Sequence, residues 1–263
     1  MAREPLSFSK IVRRVLALLL GAGLLADMRA GDIDSLLRSA ADAEASQDSR
    51  GALVALEQAA TLRPGNSFIL QKIARQYSDL ALEQPTVAEK KRYAQTALEY
   101  SERAIAVDPK SAVNVLSLAV CHGKLALYSD IRTRVKLSRL VRDEAQKALA
   151  LAPDYAWAHH VLGRWHGEVA SLGFAARFYV RLFYGGLPEA SAAEGIRHLQ
   201  RATELEPTEL NHFLELGFAY AADNQPVEAE KVWREGLAMP TRGPHDEFAK
   251  KRARAGLEKL AGR

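Results

Sequence analysis

Apolar and polar positions along the chain fall into a register set by four prolines, Pro64, Pro109, Pro153 and Pro207. Nine residues past each stands an aliphatic side chain (Ile73, Leu118, Leu162, Leu216), ten past it a small residue (Ala74, Ala119, Gly163, Gly217), and thirteen past it a ring (Tyr77, His122, His166, Tyr220). The segment leading into each proline has its own signature, an alanine five residues before it (Ala59, Ala104, Ala148, Ala202) and an aliphatic residue two before it (Leu62, Val107, Leu151, Leu205). Steps of three and four residues keep such positions on one face of a helix. Proline lacks the backbone N–H and turns its predecessor away from helical angles, so each marks the end of one helix and the entry to the next. The pattern predicts an all-α chain of antiparallel helix pairs. Stretches rich in β-branched and aromatic residues are short, and no Asn-Gly or Asp-Gly turn joins two alternating runs.

Each unit resembles a tetratricopeptide repeat, and the last is the fullest match, with Phe213, Leu216, Gly217, Tyr220, Ala229, Trp233, Gly236 and Pro240 in the characteristic order. The resemblance implies a solenoid that buries its core between neighbouring units and binds partners on a concave surface. Its units are expected at about 31–64, 66–109, 111–153, 155–207 and 208–240, with a closing helix at 244–260 over the last open face. The proline spacings of 45, 44, 54 and 33 residues from Pro64 to Pro240 exceed the usual repeat of about 34 in three cases. Longer helices account for the first two, and an insertion at 171–192 for the third. These overlong units, together with Gly163-Arg164-Trp165 and Glu168-Val169-Ala170-Ser171-Leu172 ahead of an aromatic and basic insertion, resemble the regulator of microtubule dynamics family. That resemblance implies a microtubule-associated protein or an organelle tether; one animal member binds and transfers phospholipids through this repeat domain.

Positions four, seven, eleven and fourteen past each proline form one stripe on the first helix of each pair, the side that faces a solenoid's groove. The stripe reads Phe68, Gln71, Arg75 and Ser78; Val113, Leu116, Val120 and Gly123; Trp157, His160, Arg164 and Gly167; Asn211, Leu214, Phe218 and Ala221. A groove for charged peptide tails would carry more Lys, Arg or Asn. This one is largely apolar, which suits an apolar peptide face or an acyl chain, or a segment of the chain itself folded over it; the rarity of large exposed apolar patches favours self-covering. The insertion supplies a candidate lid in Phe174, Arg177, Phe178, Arg181 and Phe183, whose aromatics would lie on the groove while the arginines reach solvent. The same helical spacing of rings and cations also suits a membrane surface, although the face is narrow and the segment short. A second basic run, Arg132, Arg134, Lys136, Arg139 and Arg142, reads as a solvated helix face, with an anionic headgroup or acidic partner as the alternative.

An apolar fraction of 48% with 7% aromatic residues fits close helix contacts through Ala and Gly. Of the formal net charge of +4, residues 1–30 hold +3, from five cations against two anions, which leaves the remainder near neutral and excludes a globally basic nucleic-acid binder. Those residues place cations before the uncharged run Val15–Ala26, twelve residues against the roughly 20 of a spanning helix. A signal peptide leading to a periplasmic or secreted protein is expected, with an uncleaved anchor over 11–26 or an organellar targeting segment as alternatives. Cys121 is the single cysteine, so no intrachain disulfide forms.

No phosphate loop, His-Glu-x-x-His helix or Gly-x-Ser-x-Gly elbow occurs. His122 and His166 share a column with Tyr77 and Tyr220 and read as packing between repeats, while His159 and His160 point to different sides of one helix. Neither catalysis nor a metal or other cofactor is expected. The expectation is a non-catalytic scaffold for a protein or peptide partner; the alternatives are a lipid-binding module and a microtubule-associated regulator.

Overall fold

The computed structural model describes residues 31–262, so the expectations for residues 1–30 lie outside it. Among the described residues twelve helices follow one another: α1 (31–45), α2 (Ser49–Leu62), α3 (Ser67–Glu83), α4 (Val87–Val107), α5 (Ala112–Leu127), α6 (Ile131–Leu151), α7 (Ala156–Ala170), α8 (Phe174–Tyr184), α9 (Ala192–Leu205), α10 (Leu210–Ala222), α11 (Pro226–Ala238) and α12 (Pro244–Ala261). The most extensive contacts join α3 to α4, α5 to α6, α7 to α9 and α10 to α11, with α8 standing outside the pairing as an insert. Pairs stack in chain order, and α12 covers α10 and α11. α4 and α6 run to 21 residues each, which is where the second and third units gain their length.

Local chemistry explains why helices begin where they do. Two residues after Pro64 and Pro109 come Asn66 and Ser111, whose side chains accept from the N–H of Ile69 at 3.1 Å and of Asn114 at 3.3 Å. Glu209 takes the same place after Pro207 and accepts from Asn211 N–H at 3.1 Å. Thr86 and Asp130 cap α4 and α6 in the same way, and the Thr86 hydroxyl also donates to the Glu89 carboxylate at 2.6 Å. At the other ends, the four alanines of the pre-proline column each accept a capping backbone bond through the carbonyl, and each is fully buried. They are small because the next helix crosses there.

The small residue ten past each proline has a related cause. A Cβ added at Gly163 would stand 2.5 Å from Leu199 Cγ and 2.9 Å from the Gly195 carbonyl, and one at Gly217 would stand 2.3 Å from the Trp233 ring. These glycines let α9 and α11 approach closer than an alanine allows. The ring column divides in two. Tyr77 donates to Glu57 of α2 at 2.8 Å and Tyr220 accepts from Gln200 of α9 at 2.8 Å, both ties to the preceding unit. His122 instead pairs with Glu144 of α6 at 2.8 Å, and His166 stacks on His198 of α9, so these two bind the helices of one pair together.

The two ends of the stack meet. Gln47, in the turn after α1 with φ of 56°, accepts through its side-chain oxygen from His245 N–H at 2.8 Å at the entry to α12.

Candidate functional site

The concave side encloses a cavity of about 700 Å³ whose walls come from α3, α5, α7 and α10, from the turn after α1, and from α12. Its floor is apolar, formed by Val113, Leu116 and Val120 of α5, Trp157 of α7, and Leu214 and Phe218 of α10. Gln71 and Arg75 of α3, His160 and Arg164 of α7 and Asn211 of α10 join them. The register of the stripe accounts for this: successive first helices present the same face as the units stack.

Gly123, Gly167 and Ala221 of the last register and Phe68 of the first do not line the cavity, and the expectation for Phe68 is corrected. Phe68 is 53% exposed and lines a separate depression of about 380 Å³ with Asp34, Leu37, Arg38 and Lys72. At the start of the stack α1 lies beside the first turn of α3, so this position meets α1 rather than the groove.

The insertion is a second correction. No residue of α8 lines the cavity, and α8 contacts α6, the second helix of its pair, through a single buried side chain, Val180. Arg139 of α6 holds its C-terminal end by donating to the carbonyls of Gly186 at 3.0 Å and Tyr184, and Arg177 turns back to the Leu172 carbonyl at 2.8 Å. Phe174, Phe178, Arg181 and Phe183 are exposed. The helical period of the insertion is real, but its rings do not cover the groove. The reason is the carbonyl contacts of Arg139, which fix α8 on the second-helix side.

Several charges at the cavity are already engaged. Arg164 pairs with Glu168 at 2.9 Å and Glu215 at 3.4 Å; Arg252 lies 3.8 Å from Glu215 and over the Phe218 ring; Arg242 binds Glu209 and Asp246. Burial alone would raise the Asp246 carboxyl, yet the N–H of Arg242 and the amide of Asn211 carry it below its ordinary value. Lys124 differs. Among the described residues it has no carboxylate within 4.0 Å, and burial lowers its pKa, with Asp79 acting in the other direction. The hydroxyl of Ser78, also at the cavity, is buried and has no hydrogen-bond partner among the described residues. A ligand carrying one anionic or accepting group beside apolar side chains would answer the Lys124 charge.

The stripe did not point to Lys124, one position beyond its last register, nor to Phe248, Ala249 and Arg252 of α12, which close one side of the cavity. Only tertiary closure brings α12 there.

The histidines form two pairs across helices. His159 Nδ1 lies 2.8 Å from His198 Nδ1, and His160 Nδ1 lies 3.0 Å from His212 Nδ1 beneath the Trp157 ring. Each contact needs one ring to donate and the other to accept, so neither pair can be doubly protonated. Burial lowers all four pKa values, that of His198 to about 4. His160 therefore touches the cavity with its ring nitrogen already committed. Among the described residues no cluster of three or more His, Cys, Asp or Glu is placed to hold a metal.

Residues 33–261 match the family model described as "Regulator of microtubule dynamics protein 1-3". Regulator of microtubule dynamics protein 3 of Xenopus laevis is 30% identical over 138 residues, which cover 52% of this chain and 30% of that protein. Protein 2 of Bos taurus is 23% identical over 181 residues, 68% of this chain and 44% of that protein. The matched part of this chain thus spans less than half the length of these relatives. Among solved structures, a thermophilic TPR protein of Thermus thermophilus superposes with a TM-score of 0.66 at 19% identity, covering 86% of this chain and 98% of that one, a likeness of fold.

Proposed function

The chain belongs to the regulator of microtubule dynamics protein 1-3 family, and from that premise we propose that it is a non-catalytic scaffold whose concave cavity holds a peptide segment of a protein partner. The observation that carries this reading is the cavity itself, with an apolar floor from three first helices beside Lys124, a half-buried lysine with no carboxylate within 4.0 Å among the described residues. An extended segment with apolar side chains and one carboxylate, from a side chain or a chain end, fits that lining. The mixture of donors and acceptors along the walls suits a backbone better than a uniform hydrocarbon.

The apolar side chains of Val113, Leu116, Val120, Leu214 and Phe218 along the cavity favour a second reading, an acyl chain with its anionic headgroup at Lys124. Microtubules are the partner that the family's description suggests, and they form a third. A photo-crosslinking residue in place of Val120, which is 36% exposed at the cavity, separates them in the full chain within its native cell. Peptide adducts located by mass spectrometry are expected, and Lys124→Glu should abolish them. Lipid adducts alone would replace the first reading with the second, and cosedimentation of the purified chain with polymerised tubulin, lost in the same variant, would name the third. We further propose that residues 1–30 export or tether the chain; a reporter fused after Gly31 that stays in the cytosol would overturn this.

A further inference from the structure

In a helix at a protein surface, the face away from the core is ordinarily polar. α8 is built the other way round. Val180, its one buried residue, marks the face that meets α6. The opposite face carries Phe174, Phe178 and Leu182, one helical turn apart and 86%, 57% and 63% exposed, while Phe183 packs on Tyr179 along the flank. The rings of Phe174 and Phe178 stack on each other with centroids 6.4 Å apart, so the face is a continuous apolar strip. Nothing in the cavity uses it.

Cations lie on α8 and on the adjoining first half of α6. Arg181 on α8 and Arg132 and Lys136 on α6 are exposed and, among the described residues, have no carboxylate within 4.0 Å. Arg139 and Arg177 spend their donors on backbone carbonyls, which leaves their charge uncompensated. Asp130 opposes them at the start of α6, where its side chain is occupied in capping Thr133. Carboxylates on a second protein would answer the charges but not the strip. An anionic bilayer answers both, because phosphate headgroups lie just above the hydrocarbon that the rings would enter.

We propose that α8 and the basic first half of α6 form a membrane-docking surface, in which Phe174, Phe178 and Leu182 enter the headgroup boundary of an anionic bilayer while Arg132, Lys136 and Arg181 bind its phosphates. The helix would lie in the plane of the interface and span nothing. The cavity stays open in this arrangement, because α8 borders it nowhere.

A probe on α8 reports its insertion even if residues 1–30 bind lipid independently. Ala175, exposed on the same face, is changed to Cys in the full chain and labelled with an environment-sensitive fluorophore; Cys121 is buried and does not compete. On vesicles of phosphatidylglycerol and phosphatidylcholine the emission should shift to the blue and brighten several-fold, and on phosphatidylcholine alone it should stay near its value in water. F178E/L182E should abolish the shift with the circular dichroism unchanged, since both side chains face solvent. R132Q/K136Q should raise the half-saturating lipid concentration about thirtyfold, from the attraction of two cations to an anionic surface. Vesicle-bound chain whose probe still reads as in water overturns the proposal. So does a shift that is equal on both vesicles and indifferent to R132Q/K136Q. A shift that grows with protein concentration in the absence of vesicles, and disappears in F178E/L182E, overturns it in favour of a second copy of this chain as the occupant.

Discussion

Gly163→Ala and Gly167→Ala make the same chemical change one helical turn apart on α7, and the packing requires effects of opposite sign. At Gly167 an added Cβ meets no atom within 4 Å, so only the backbone preference counts, and alanine in place of glycine within a helix gains about 0.5–1 kcal/mol. The same gain applies at Gly163, but there the methyl would stand 2.5 Å from Leu199 Cγ and 2.9 Å from the carbonyl of Gly195. Leu199 is 1% exposed and has no space to retreat into, and the carbonyl moves only if α9 moves. Overpacking of this kind costs about 1–3 kcal/mol, and since the propensity gain is common to both variants it cancels, so the two should differ by about 1–3 kcal/mol. Urea unfolding followed at 222 nm reads the difference as midpoints that move in opposite directions, and in a chain of this size each kcal/mol corresponds to about 2–4 °C in Tm. Equal midpoints for the two variants, or a Gly163→Ala protein as stable as the parent, would refute the close crossing of α7 and α9.

The indole N–H of Trp165 donates to the carbonyl and the hydroxyl of Ser138 at 2.8 and 3.0 Å, so Trp165→Phe should lower stability by about 0.5–1.5 kcal/mol through the lost hydrogen bond, measured by the same titration. Burial, followed by the nearby His159 and His166, sets His198 at about 4 in the folded chain against 6.5 unfolded, so the unfolded chain binds more protons between those values. Stability should accordingly be complete above pH 6.5 and decline towards pH 4; His198→Gln should flatten part of that slope, by about 1–2 kcal/mol once solvent screening is allowed for, and an unchanged pH profile would count against the pair. Burial pushes the Cys121 thiol up to about 12, so a disulfide reagent at pH 8 should modify it only at the rate of opening, and stoichiometric labelling of the native chain within seconds would contradict the packing.

The units could be read from the chain because their causes are local. A proline, a cap two residues on and a buried alanine or glycine at each crossing are properties of short segments, and the solenoid follows by stacking them. The stripe of groove positions was legible for a related reason: a constant register along successive first helices carries Val113, Trp157 and Asn211 to one cavity. Phe68 departs because a register describes the interior of a stack and not its end, where α1 intervenes. The placement of α8 was not legible. Periodicity tells which residues share a face but not what that face meets, and Arg139, 35 positions before Phe174 in the sequence, decides the matter through carbonyls that have no side-chain signature. The aliphatic residues two before each proline point the same way: Leu62, Val107 and Leu151 are 40%, 51% and 40% exposed, so a repeated apolar position is not thereby a core position. The partners of His159 and His160 lie 39 and 52 residues away, on helices whose approach is set by Gly163 and the neighbouring packing.

An array whose ends lie apart tolerates a unit more or a unit fewer, since each new interface repeats the last. Here Gln47 reaches His245 across 198 positions of sequence, and the stack resembles a spring with its two ends hooked together. Duplicating one helix pair would carry α12 past the turn after α1 and break that hook, so geometry opposes a change in the copy number of units. Change by whole-unit gain or loss is disfavoured in this fold, and its variation comes more readily through inserts such as α8, which lengthen a unit without altering the pitch of the ring.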